Sequence, residues 1–194
     1  MSFISIVARD KFITVVSDGL VVDLNTGIEK EQDFKKFSKI AQNQFVAYAG
    51  NKGVGEAIAE TLPYTTKLYR LDEVSAMIHR RVLREIPVDQ ASILVAIGGV
   101  SDLGFIEFHT FSNNPEIQLT TYQPKGDDIM YCYLFGRNVV YDDKQLDAVF
   151  HNSLRKIGIN TPNKIIKAQK ELNHYVSDRD KTVNNRTFDL DIKL

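Results

Sequence analysis

A serine follows the initiator methionine at position 2. Removal of Met1, the usual fate of a methionine ahead of a small residue, gives Ser2 a hydroxyl and a free α-amine on the same residue. An unperturbed α-amine has a pKa of about 7.7–8, so a substantial share is neutral at cellular pH and able to take a proton. Nucleophile and base then share the first residue of the strand-like run Ser2–Ala8. Other chemically capable residues stand in plainer settings. Asp18-Gly19 follows the apolar run Phe12–Ser17, where Asp-Gly commonly makes a turn. Lys36 lies near Lys35 and Lys39, ordinarily a solvated edge. Asp180 lies among Asp178, Arg179 and Lys181, ordinarily a surface charge cluster. The single cysteine, Cys132, sits in the apolar run Met130–Leu134 and reads as core rather than as a reactive thiol. His79, His109, His151 and His174 show no ligand spacing, so no metal site is expected. Gly50-Asn51-Lys52-Gly53-Val54-Gly55 lacks the Walker spacing and the βαβ context of a phosphate loop, and no cofactor is expected.

The elements that must position these residues can be read from pattern. Ser2–Ala8 and Phe12–Ser17 flank the polar connection Arg9-Asp10-Lys11. Phe12–Val16 is apolar and β-branched without alternation, which predicts a strand covered on both faces. Asp23–Asp33 is a polar excursion, and Lys36–Ala41 with Phe45–Ala49 forms a second strand pair. Two helices follow. Gly53–Leu62 stops at Pro63, and Leu71–Ile86 carries Val74, Met77, Ile78, Val82 and Ile86 at helical spacing, with Asp72 as its expected cap. Ser92–Ile97, Gly104–Phe111, Ile117–Tyr122 and Tyr131–Phe135 form the next strand block. Asn138–Ile157 is the third helix, ended by Gly158. The fourth starts at Thr161-Pro162 and runs through Ile165, Ala168, Leu172 and Val176. Thr187–Ile192 closes the chain as a strand. Strands in runs and helices in pairs predict an α+β fold, two mainly antiparallel sheets with a helix layer outside each, αββα.

The 194 residues are read as one domain, 1–194, with 43% apolar and 25% charged residues and a net charge of −1. No basic stripe suits nucleic acid and no acidic tail suits a basic partner. Arg9-Asp10-Lys11 interrupts the first apolar run too early for a secretory signal. No segment approaches ~18 consecutive apolar residues, so neither a membrane span nor a membrane partner is expected, and a cytoplasmic location is.

Taken together, these features resemble the peptidase subunits of the proteasome family, the proteasome β-subunits and the bacterial two-component ATP-dependent protease. The likeness spans nearly the whole chain. In that family the mature chain begins with a nucleophile, usually threonine. Two strands ending in Asp-Gly follow, then a lysine on the third strand. Ser2 stands at the nucleophile position, Asp18-Gly19 matches the Asp-Gly, and Lys36 in Lys36-Phe37-Ser38-Lys39-Ile40 matches the lysine. Tyr48-Ala49-Gly50 matches the small segment before the first long helix, making Gly50 the source of the oxyanion-binding amide. Arg179-Asp180, with Asn184-Asn185 and the last strand, resembles the family's closing segment, making Asp180 a second structural acid.

The resemblance implies an N-terminal-nucleophile hydrolase cleaving amide bonds, with peptides as the expected substrates and Ser2 as nucleophile after Met1 removal. It also implies self-association, with a ring among the arrangements; nothing in the chain indicates an ATPase partner. The pattern departs from the family at three places. Arg137 replaces a serine that supports the terminal amine, Val183 replaces a later serine, and Asn184-Asn185 replaces glycines. These departures favour an alternative, a catalytically inactive proteasome-fold protein acting in assembly or binding. A small-molecule amidase on the same fold is the third reading.

Overall fold

A computed structural model describes residues 2–23, 26–136 and 143–194. In chain order the strands are β1 (Phe3–Arg9), β2 (Phe12–Asp18), β3 (Val21–Val22), β4 (Glu29–Glu31), β5 (Phe37–Ala41) and β6 (Gln44–Gly50), followed by helices α1 (Lys52–Glu60) and α2 (Leu71–Glu85). Next come β7 (Ile93–Val100), β8 (Ile106–Ser112), β9 (Thr120–Tyr122) and β10 (Met130–Phe135), then α3 (Asp143–Ile157), α4 (Pro162–Ser177) and β11 (Thr187–Lys193). The expected order of strands, paired helices, strands, paired helices and final strand is the observed one.

One antiparallel sheet has the order β10-β1-β2-β11 and the other β5-β6-β7-β8-β9. Their facing sides share a core that includes Ile4, Ile6, Ile13, Val15, Phe45, Ala47, Ala96 and Phe108. On the outer face of the five-stranded sheet, Val46, Ile93, Val95 and Phe111 pack with Ile58, Val74, Ile78 and Val82 of α1 and α2. On the outer face of the four-stranded sheet, Phe3, Val7 and Phe12 meet Leu146 and Phe150 of α3 and Ile165 and Leu172 of α4. Every residue of β2 is buried, which explains the missing alternation in Phe12–Val16.

Polar contacts fix the register of the two strands that carry Ser2 and Asp18. Gln169 of α4 is wholly buried and reaches both of them. Its Nε2 donates to Ser5 O at 2.8 Å and Ser5 Oγ at 3.1 Å, while its Oε1 accepts from Thr14 Oγ1 at 2.8 Å. A one-residue slip of either strand would break these bonds and bury their polar atoms unpaired.

Several boundaries differ from expectation. The polar excursion Asp23–Asp33 contributes β4, which pairs with β3. β9 begins at Thr120 rather than at Ile117, which is exposed. The cap position of α2 is Arg70, without a side-chain bond, and Asp72 lies in the first turn, where its charge complements the helix dipole. The α1 cap was not anticipated: Asn51 accepts from the Val54 N–H at 3.1 Å. Asn138, the expected start of the third helix, lies outside the described residues. Among the described residues, no helix is long and apolar enough to cross a membrane.

Candidate active site

Three chain segments meet at a buried ion pair. Asp18 closes β2 and is wholly buried; Lys36 immediately precedes β5 and is 2% exposed. Lys36 Nζ lies 2.6 Å from Asp18 Oδ2. The other Asp18 oxygen, Oδ1, accepts from the Phe3 N–H at 2.7 Å, and Oδ2 also accepts from the Leu20 N–H at 2.9 Å. Lys36 Nζ donates further to Asp18 O at 3.1 Å and Leu20 O at 2.9 Å. An ammonium has three N–H donors, and these three oxygens use them all. Burial pushes the Asp18 carboxyl upward, against the pull of the Lys36 charge. Burial likewise pushes Lys36 downward, against the opposing effect of Asp18.

Ser2 reaches this pair through its neighbour. The Asp18 bond to Phe3 N–H fixes the peptide immediately after Ser2, and Ser2 O accepts from the Gly136 N–H at 3.1 Å. Ser2 is itself buried. Alternation along β1 turns its side chain toward the inter-sheet core, the side faced by Ile4 and Ile6. Met1, whose removal is expected to free the Ser2 amine, lies outside the described residues, as does Arg137.

Gly50 is tied to the lysine through the main chain. The Tyr48 N–H donates to Lys36 O at 3.0 Å, while the Asn51 N–H donates to Ser92 O at 2.9 Å. Along β6 successive N–H groups point to opposite sides, so the Gly50 N–H faces the same side as that of Tyr48, toward Lys36. Gly50 has φ of 119°, and a Cβ there would overlap the Ser92 carbonyl oxygen. Only glycine keeps this backbone without strain.

The architecture settles the comparison with known proteins. The chain is similar to eukaryotic HslV from Trypanosoma brucei, at 13% identity, with 99% of each chain covered and a TM-score of 0.65. The fold is proteasome-like. No family model and no curated protein matches the sequence. The likeness therefore concerns architecture, and the roles of individual residues rest on the geometry above.

Within this proteasome-like fold, the residues singled out by sequence do not all meet. Phe3 joins Ser2 to Asp18 and Lys36, and Tyr48 joins Gly50 to Lys36. Asp180 is not drawn in. Its Oδ1 accepts from Thr182 N–H at 2.8 Å and Thr182 Oγ1 at 2.6 Å, forming a turn of its own. Val183 is buried against the α3–α4 side. Asn184, read from sequence only as a replaced glycine, touches the turn directly: its Oδ1 accepts from the Gly19 N–H at 3.0 Å. No spacing rule points to that contact, because it joins residues 165 positions apart. Among the described residues no group of histidine, cysteine, aspartate or glutamate could hold a metal. A cavity of about 320 Å³ lined by Val54, Ile58, Ile78 and Val82 lies between α1 and α2 and shares no residue with the pair.

Gly50→Ala is expected to cost about 1–3 kcal/mol in stability from the backbone conformation alone. Chemical denaturation checks this; a midpoint equal to that of the parent would show that the Gly50 backbone is not constrained as described.

Proposed function

We propose that this chain is a proteasome-type N-terminal-nucleophile hydrolase cleaving peptide amide bonds, with Ser2 as nucleophile once Met1 is removed. One observation carries the reading: the peptide joining Ser2 to Phe3 is held on the buried Asp18–Lys36 pair, through the 2.7 Å bond from Phe3 N–H to Asp18. The proteasome-like fold supports the reaction class. Self-association, a ring among its forms, and a cytoplasmic location belong to the same proposal.

The free α-amine of Ser2 takes the hydroxyl proton directly or through one water. Ser2 Oγ then bonds to the substrate carbonyl carbon, and the amine returns the proton to the departing nitrogen as the C–N bond breaks. Water hydrolyses the resulting ester by the reverse route. The Lys36 charge disfavours protonation of the nearby amine and stabilises developing negative charge, while Asp18 keeps Lys36 charged and oriented. The Gly50 N–H receives the oxyanion, an interaction worth about 2.7–4 kcal/mol in a measured hydrolase. Asp180 is given no step in this scheme; its Oδ1 accepts from Thr182.

A second reading is favoured by the full occupancy of the Lys36 donors. With each N–H already held, the pair is complete as a structural staple, and the chain serves as a non-catalytic assembly or binding protein. Intact mass of the cell-derived protein and peptide hydrolysis by the parent and Ser2→Ala separate the two. Loss of Met1 with Ser2-dependent hydrolysis supports the enzyme. Met1 retained in every molecule sinks the mechanism.

A further inference from the structure

The Asp18–Gly19 peptide has a charged group on one side and an amide side chain on the other. Its carbonyl oxygen, Asp18 O, accepts from Lys36 Nζ at 3.1 Å. Its N–H, that of Gly19, donates to Asn184 Oδ1 at 3.0 Å. The described residues contain no cis peptide bond, so this C=O and N–H point in opposite directions from one rigid plane. Lys36, the peptide and Asn184 form a single relay in which the ammonium polarises the amide and strengthens its bond to Asn184.

Asn184 is itself held at two further points. Its Nδ2 donates to Gln32 O at 3.1 Å, and its own carbonyl accepts from Asn173 Nδ2 at 2.9 Å. Asn173 lies on α4 and is wholly buried. Gln32 belongs to the segment leading into Lys36, and a Cβ on Gly19 would come within 2.5 Å of Gln32 O. The side chain of Asn184 thus spans two backbones that approach too closely for any other residue at position 19. The Gly19 carbonyl is also fixed, accepting from the Phe34 N–H at 2.9 Å. Asn184, Phe34 and Lys36 thus anchor the Asp18–Gly19 turn from outside, beside the Phe3 N–H on the Asp18 carboxylate and the β11 pairing at Thr187.

We propose that Asn184 is a positioning residue of the candidate active site, holding the Asp18–Gly19 peptide so that its carbonyl meets the Lys36 ammonium. It touches no substrate; it acts through the peptide. The proposal rests on the hydrolase reading for its consequence in catalysis, but the positioning itself has a readout of its own.

The test compares full-length parent with Asn184→Ala and Asn184→Asp, the latter keeping an acceptor for the Gly19 N–H. In Asn184→Ala, exchange of the Gly19 amide hydrogen is expected to accelerate about tenfold, the worth of one ordinary hydrogen bond. Amides in the centres of β1 and β2 keep their protection, and Lys36 becomes more reactive toward a lysine-acylating reagent. Peptide hydrolysis loses about tenfold in kcat, with KM within about twofold. Asn184→Asp retains Gly19 protection and most of kcat. The proposal is overturned by unchanged Gly19 exchange in Asn184→Ala, or by an equal loss of protection across α4, β2 and β11. If Asn184→Ala does not fold, faster Gly19 exchange in Asn184→Asp than in the parent overturns it, and equal or slower exchange supports it. If the parent shows no Ser2-dependent hydrolysis, the hydrolase reading falls, and Gly19 exchange with Lys36 acylation decides the positioning role alone.

Discussion

Protein that keeps Met1 is expected to hydrolyse peptides at least about 10³-fold more slowly than processed protein, a loss as large as that of Ser2→Ala. The two changes remove different halves of one machine. Ser2→Ala removes the hydroxyl and leaves the amine; retained Met1 keeps the hydroxyl and converts the amine into an amide nitrogen that cannot take a proton. Removing either member of a nucleophile–base unit abolishes nearly all of its advantage, because neither acts alone. Under the proposed mechanism the residual rate would come from binding and the Gly50 amide. The comparison is made on one preparation split by aminopeptidase treatment, with mass and initial rate measured on each part. Equal rates with and without Met1 would falsify the amine as base, even with Ser2 required.

Asp18→Ala is expected to destabilise the protein by about 3–5 kcal/mol, the usual consequence of leaving one member of a buried ion pair behind. It strands the Lys36 ammonium at 2% exposure and leaves the Phe3 and Leu20 N–H groups without their acceptor. Removing both charges in Asp18→Asn/Lys36→Met recovers much of the loss, since Asn keeps an oxygen for Phe3 and no unpaired charge remains. A double-mutant cycle by denaturant unfolding should give a coupling of about 0.5–3 kcal/mol; additive single effects would mean that the two groups do not depend on each other. The pH dependence follows from the direction of each shift. Burial raises Asp18 above its ordinary 3.8, so its contribution to stability is present below that value and lost as pH rises through the folded one. Burial lowers Lys36 from 10.5, so its contribution is present above that value and lost as pH falls through the folded one.

The layer architecture was legible because both sheets are double-covered and all four helices carry apolar stripes, signals that survive without any partner in view. Phe12–Val16 announced its burial by lacking alternation, and Pro63 marked a helix end. Asp18 and Lys36 were not legible from local chemistry. Each looks like surface in its own neighbourhood, and only the family register paired them. Asn184 was missed for the opposite reason: the register assigned it to a glycine position, where no side chain is expected to act. Asp180 was named by the same register, and the bonds its Oδ1 makes, to the hydroxyl and amide of Thr182, are local ones that the register does not specify. Long-range hydrogen bonds to single backbone groups leave no trace in spacing or composition.

One flank of the strand that carries Asp18 comes from a segment distant in sequence. β11 pairs with β2, placing Thr187 opposite Asp18 and Lys193 opposite Phe12. The strand carrying Asp18 therefore gains that flank only from this distant segment, and Asn184 lies just ahead of it in sequence. Contacts between positions so distant form late, after the loop-closure cost between them has been met. The Asp18–Lys36 pair itself draws only on partners between Phe3 and Lys36, close together in sequence, so Asn184 and β11 buttress it from a distant segment. One short stretch of chain thus supplies both the flank of β2 and the anchor of the turn that closes it.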